Sequence, residues 1–183
     1  MPISYSRALG ALASLCAIAC ATPSMAQAHV HGTSTMMLVV AGPTVEITIE
    51  MPASDIVGFE RPPATDAEHE LIATAIETLS DPLALFPLAP DAGCTLQSAD
   101  VDFPFAAHED HHDHDHDHEA SAHSEFTANY ALACPTLATS GVTLQTSFFE
   151  AFPAAHAITL EGLIDGAALR ATLTPDAPSA SLR

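Results

Sequence analysis

Residues 33–51 read TSTMMLVVAGPTVEITIEM, and the second half of that stretch alternates. Val45, Ile47 and Ile49 fall on one side, with Glu46, Thr48 and Glu50 on the other. A period of two is that of a strand with one face buried and one in water. Residues 33–40 form a second apolar run, and Ala41-Gly42-Pro43 separates the two, so the pair reads as a hairpin. Pro52 ends its second arm. Residues 55–59 read as a short extended piece, and Pro62-Pro63 stops regular structure.

Outward from this hairpin the chain offers one clear helix. Thr65 and Glu68 stand at capping-box spacing. Leu71, Ile72, Ala75, Ile76 and Leu79 then repeat as one apolar stripe, and Asp66, Glu68 and Glu70 lie where the helix dipole favours acids. Pro82 closes the segment. Residues 94–105 and 125–134 read as paired strands, the second alternating Phe126, Ala128, Tyr130, Leu132 and Cys134. Residues 142–146 and 157–164 are further strands. Asp165-Gly166 is a two-residue hairpin signal whose second arm carries Leu169, Ala171 and Leu173. Residues 177–183 read as a loose tail. The expectation is a mainly β (α+β) fold, an antiparallel sheet or β-sandwich with one or two packed helices, in one domain over residues 29–176.

Composition sets the partners. Of 183 residues, 48% are hydrophobic, which is enough for a core. Twenty-three Asp and Glu face four Arg and no Lys, for a net charge of −19. A phosphate backbone requires basic residues to displace its counterions, so nucleic acid is excluded as a partner. Anionic membrane surfaces are disfavoured on the same ground. An acidic chain with 11 His attracts cations.

Residues 1–28 read as a signal peptide for export. Arg7 precedes the small-apolar run of residues 8–21. Thr22-Pro23-Ser24 breaks that run, and Ser24-Met25-Ala26 and Ala26-Gln27-Ala28 both fit a small-x-small cut. The run is short of the roughly 20 residues that span a bilayer, so stable membrane insertion is not expected. A lipoprotein acylated at Cys20 is disfavoured because Ala17-Ile18-Ala19 lacks the usual upstream Leu. Cys94 and Cys134 remain after the cut, an even number suited to a disulfide in an oxidising compartment. The competing reading, two thiolate metal ligands, is weakened by oxidation and by the lack of a CxxC.

The tract from His108 to His123 carries most of the functional signal. It holds His108, His111, His112, His114, His116, His118 and His123, seven of the 11 His. Glu109, Asp110, Asp113, Asp115, Asp117 and Glu119 stand among them. Neutral imidazole suits Zn, Cu and Ni, and carboxylates can complete the shell. Alternate His in an extended chain lie about 7 Å apart, too far for one ion, so a folding loop must gather them. From 108 to 124 no apolar residue exceeds Ala, and this insert is expected to be a disordered His/Asp-rich loop. Such a loop binds several exchangeable divalent ions, and protons compete for the ligands. Zinc is the expected ion, with copper or nickel as the alternative.

Smaller constellations lie on the folded body. His29-Val30-His31 begins or nearly begins the exported chain. With a cut after Ala26, His29 is third, a position from which amine, amides and imidazole hold Cu(II) or Ni(II) in a square plane. His69 stands beside Glu68 on the helix, off its apolar stripe. His156 follows Pro153-Ala154-Ala155 before a strand and reads as a solvated side chain. Body ligands are expected among His29, His31, Glu60 and His69.

These motifs, taken in order, resemble a known family. His29-Val30-His31-Gly32 after a signal peptide, Met51-Pro52-Ala53, and Val57-Gly58-Phe59-Glu60 are similar to the zinc-regulated periplasmic proteins of Gram-negative bacteria, the ZrgA-like family. So is Cys94, followed by a His/Asp tract and by FTANYALAC at 126–134, and so is Phe148-Phe149-Glu150-Ala151-Phe152-Pro153. The resemblance implies a mostly β periplasmic zinc-binding protein that supplies a zinc ABC importer or its solute-binding protein. It also implies a His directly after Gly-Phe-Glu, where this chain carries Arg61. A copper or nickel buffering or resistance protein is the alternative function.

No enzyme is expected. His69-Glu70 continues into Leu71-Ile72-Ala73, without the second His of HExxH. There is no Gly-x-Ser-x-Gly elbow.

Overall fold

The computed structural model of the protein describes residues 30–106, 124–137 and 143–182. The signal segment 1–28, His29 and the tract His108–His123 lie outside the described residues. Eight strands are present among these residues: β1 Thr33–Ala41, β2 Thr44–Pro52, β3 Thr95–Asp102, β4 Glu125–Ala133, β5 Thr143–Gln145, β6 Ala157–Ile164, β7 Ala167–Leu173 and β8 Ser179–Ser181. The helices are α1 Ala53–Ile56, α2 Asp66–Leu79, α3 Pro82–Leu85 and α4 Phe148–Ala151, with a 3₁₀ turn at Pro90–Ala92. The protein is mainly β with packed helices, as the sequence led us to expect.

Six strands form one sheet in the order β3-β4-β2-β1-β6-β7, and β5 pairs with β8 apart from it. The period-two patterns hold in register: Leu38 faces Ile47, and Ile47 faces Tyr130. Met36, Leu38, Val45, Ile47, Ile49, Phe126, Leu132, Ile158 and Leu160 are buried on one face. On the opposite face Glu46, Glu50, Asp100 and Asp102 meet water. The helices lie over the apolar face. The Tyr130 hydroxyl donates to the Leu79 carbonyl at 2.7 Å, fastening the end of α2 to β4. Burial pushes that phenol up from its ordinary value. Phe103 stacks on Phe126 at 4.0 Å between centroids, and Phe86 stacks on Phe148 at 5.8 Å.

Five expectations need correction. The sheet is mixed rather than antiparallel, because β6 enters parallel to β1, Thr33 opposite Ala157 through Val40 opposite Ile164, and it is not a sandwich, because six strands share one sheet and only the two-stranded β5–β8 pair lies apart. Hairpin signals report only neighbours close in sequence, and β6 reaches β1 through a long crossover. Three single-turn helices join α2, so the helix count exceeds one or two. Residues 55–59 are not extended: Val57 N–H donates to the Ala53 carbonyl and closes α1. Leu71 leaves the stripe, 51% exposed, because α2 buries only the narrower line Ile72, Ala75 and Leu79. The expected tail contains β8, whose alternation sends Ala180 and then Leu182 into the core.

Other local readings hold. The Thr65 hydroxyl accepts from Glu68 N–H at 3.2 Å and caps α2. Asp165 and Gly166 both have positive φ, 47° and 85°, the backbone of a primed hairpin turn. The Asp165 carboxylate accepts from Gly42 N–H, joining the β6–β7 turn to the β1–β2 turn. Cys94 and Cys134 form a disulfide, S–S 2.07 Å, at the base of the β3–β4 pair. That bond removes both sulfurs from the candidate metal ligands.

Candidate metal-binding site

Two chain segments meet where β1 begins and β2 ends. Upstream of Thr33 the backbone turns at Gly32, φ +82°, a conformation that suits glycine. The turn is held on both sides. Gly32 N–H donates to both carboxylate oxygens of Asp55, at 2.9 and 2.8 Å. Its carbonyl accepts from the N–H groups of His156 and Ala157, at 2.8 and 2.9 Å. A Cβ on Gly32 would stand 3.0 Å from Cδ2 of His156, so that ring forms one wall of the turn. On the other segment, Pro52 leads into α1, and Gly58, φ +85°, redirects the chain toward Glu60.

The result is a contact across 3.0 Å between His31 Nε2 and Glu60 Oε1. The His31 side chain is 61% exposed and that of Glu60 13%. Ser54 Oγ–H donates to the same Glu60 oxygen at 2.9 Å. Asp55 is buried, and burial raises its carboxyl above the ordinary value, against the lowering effects of Gly32 N–H and of His31 and His156 nearby. An imidazole and a carboxylate at this separation offer a nitrogen and an oxygen donor of the kind zinc accepts.

Among the four body ligands expected from sequence, the structure brings His31 and Glu60 together. His69 is placed elsewhere, on α2 at the mouth of an open cleft of about 530 Å³ lined by Ile72, Ile76 and Ala106. Of the tract ligands, His108, Asp110, His111, His112, Asp113, His114, Asp115, His116, Asp117, His118 and His123 all lie outside the described residues, as does His29. Among the described residues, no three His, Cys, Asp or Glu side chains converge to hold a metal ion by themselves.

Arg61 has a different occupation. Its guanidinium takes Glu68 with two hydrogen bonds, at 2.6 and 3.1 Å, and lies 5.1 Å from the centroid of the Phe59 ring. Glu68 also accepts from Ala64 N–H at 2.6 Å. The side chain that follows Gly-Phe-Glu therefore closes the N-terminus of α2. Sequence reasoning missed Ser54 and Asp55, which support the pair. Their one signal was a Ser and an Asp directly after Pro-Ala, a common helix-opening pattern that the extended reading passed over.

The sequence matches the family described as ZrgA family zinc uptake protein over residues 28–182. The chain belongs to this family. Membership ties it to zinc uptake, and the matched span includes the His31–Glu60 pair and the His/Asp tract together. A comparison with curated proteins returned no match. No helix among the described residues is long and apolar enough to cross a membrane.

Proposed function

We propose that this ZrgA-family chain is an exported, periplasmic zinc-binding protein that performs no catalysis. It captures Zn²⁺ through its His/Asp-rich tract and passes the ion toward an ABC importer, directly or through the importer's solute-binding protein. The observation that carries the reading is the family match along a chain that concentrates seven His in residues 108–123. Zinc is the cargo. The tract provides many imidazole and carboxylate donors of the kind zinc accepts. The His31–Glu60 pair adds a nitrogen and an oxygen donor 3.0 Å apart on the folded body. The six tract carboxylates and the net charge of −19 raise the cation concentration nearby.

The test is a comparison of bound zinc, by equilibrium dialysis with metal analysis, between the protein and a variant lacking residues 108–123. The variant is expected to lose most of its zinc while still unfolding in one cooperative step. Equal stoichiometry in the two proteins would place the capacity on the body and refute the reading.

A further inference from the structure

We propose that α1 is the positioning element of the His31–Glu60 pair, with Ser54 and Asp55 as its two positioning residues. The inference rests on the reading of that pair as a zinc contact, and it adds which residues make the pair competent.

His31 precedes the first strand and is 61% exposed. An exposed side chain near the start of a strand samples many rotamers, and holding it costs entropy. Glu60 follows Gly58 and is not part of a helix or strand. Neither ligand is placed by its own secondary structure. Both are placed by neighbours on one four-residue turn. Asp55 receives the Gly32 N–H on both oxygens, which fixes the peptide that directly follows His31. Ser54 donates to the Glu60 oxygen that faces His31 Nε2.

The chemistry of the two residues supports this assignment. Asp55 is a carboxylate only 6% exposed, and both of its oxygens accept from a single amide. An apolar residue would cost less to bury if packing were its purpose. Its neighbours in charge are His31, His156 and Glu60, the groups around the pair, rather than a distant ion partner. Ser54 acts on a candidate ligand directly. A hydroxyl donating to a carboxylate fixes that carboxylate's orientation and leaves its charge available to a cation, as outer hydrogen bonds do in metal sites.

The experiment uses the whole protein with ¹⁵N-labelled histidine and follows the His31 Nε2 resonance as zinc chloride is added. In the unsubstituted chain the resonance shifts with zinc, and Glu60→Ala weakens that response. Absence of a His31 response in the unsubstituted chain would overturn the zinc reading of the pair, and the inference with it. Given a response, Ser54→Ala and Asp55→Ala are each expected to weaken it about 10-fold or more, in the range typical of lost outer-shell partners. Asp55→Asn keeps one oxygen for the Gly32 N–H and is expected to restore most of the affinity. Leu132→Ala, a core deletion at the opposite end of the sheet, is expected to lower the melting temperature without changing the His31 response. Unchanged zinc affinity at His31 in both Ser54→Ala and Asp55→Ala overturns the assignment. So does a loss in Leu132→Ala as large as theirs, because the effect would then follow stability alone.

Discussion

Glu68 shows how one side chain can serve a local structure and record pH. Arg61 bonds to it most strongly, Ala64 N–H adds to the effect, and together they hold its carboxyl down from 4.5 to about 2. A folded carboxyl below its unfolded value stabilises the fold above the unfolded value and loses that contribution as pH falls toward the folded one. The window here is about pH 4.5 to 2. Arg61→Ala should return the Glu68 carboxyl toward the ordinary range, read from its ¹³C shift across a pH titration. Glu68→Gln should remove this part of the acid dependence of the melting temperature. A carboxyl shift that titrates near 4.5 in the unsubstituted protein would contradict the contact. The Thr65–Glu68 cap was legible because capping is a matter of residue types three apart. The use of Arg61 was not, since nothing in Gly-Phe-Glu-Arg says that the guanidinium turns forward to α2 rather than toward Glu60. Asp55 was missed for a related reason: its partner, Gly32, is remote in sequence, and no local pattern marks a carboxylate that the fold will bury.

Among the elements, the β1–β2 hairpin, β4, β6 and α2 were readable because each carries its own period. The β6–β1 pairing was not, since no local pattern names a parallel neighbour. That pairing depends on Gly162. A Cβ there would stand 2.7 Å from the Leu38 carbonyl oxygen, a backbone atom that cannot rotate away. Gly162→Ala should therefore force the strands apart and cost about 1–3 kcal/mol, as overpacking does. The urea midpoint measures it, and an unchanged midpoint would mean that β1 and β6 tolerate a wider spacing. The last strand, β8, was missed because Ser-Ala-Ser-Leu is short and polar by composition. Its alternation becomes meaningful only once β5 pairs with it, Leu144 opposite Ala180, and the core buries Ala180 and Leu182.

The whole molecule is an acidic sheet with its core on one side. Among the described residues the Cys94–Cys134 bond constrains the chain across a sequence separation of 40. In the chain-entropy account, closing a loop of that size removes unfolded states worth about 4 kcal/mol. Urea unfolding of a Cys94→Ser/Cys134→Ser variant should show a loss of that order, with the urea dependence of the free energy altered because the unfolded chain opens. A loss well under 1 kcal/mol would mean that β3 and β4 are held by their ladder and by the Phe103–Phe126 stack alone. The tract between these strands was the most legible part of the candidate site, because ligand type can be read without geometry. The His31–Glu60 pair was legible only as a set of candidates, since contact between them depends on two turns and on α1.

The parallel β1–β6 ladder also orders events in time. A chain emerges from synthesis with its N-terminus first, so β1 and β2 can pair at once, while the other side of β1 stays open until β6 exists. Closing such a distant contact costs more entropy than closing a hairpin and proceeds more slowly. Gly32 waits as well, since the amides that hold its carbonyl belong to His156 and Ala157. The tract is made before that step and the held His31 only after it. A chain interrupted before β6 would carry the tract but lack the carbonyl half of the support beneath His31, so a finished pair marks a chain made at least as far as β6.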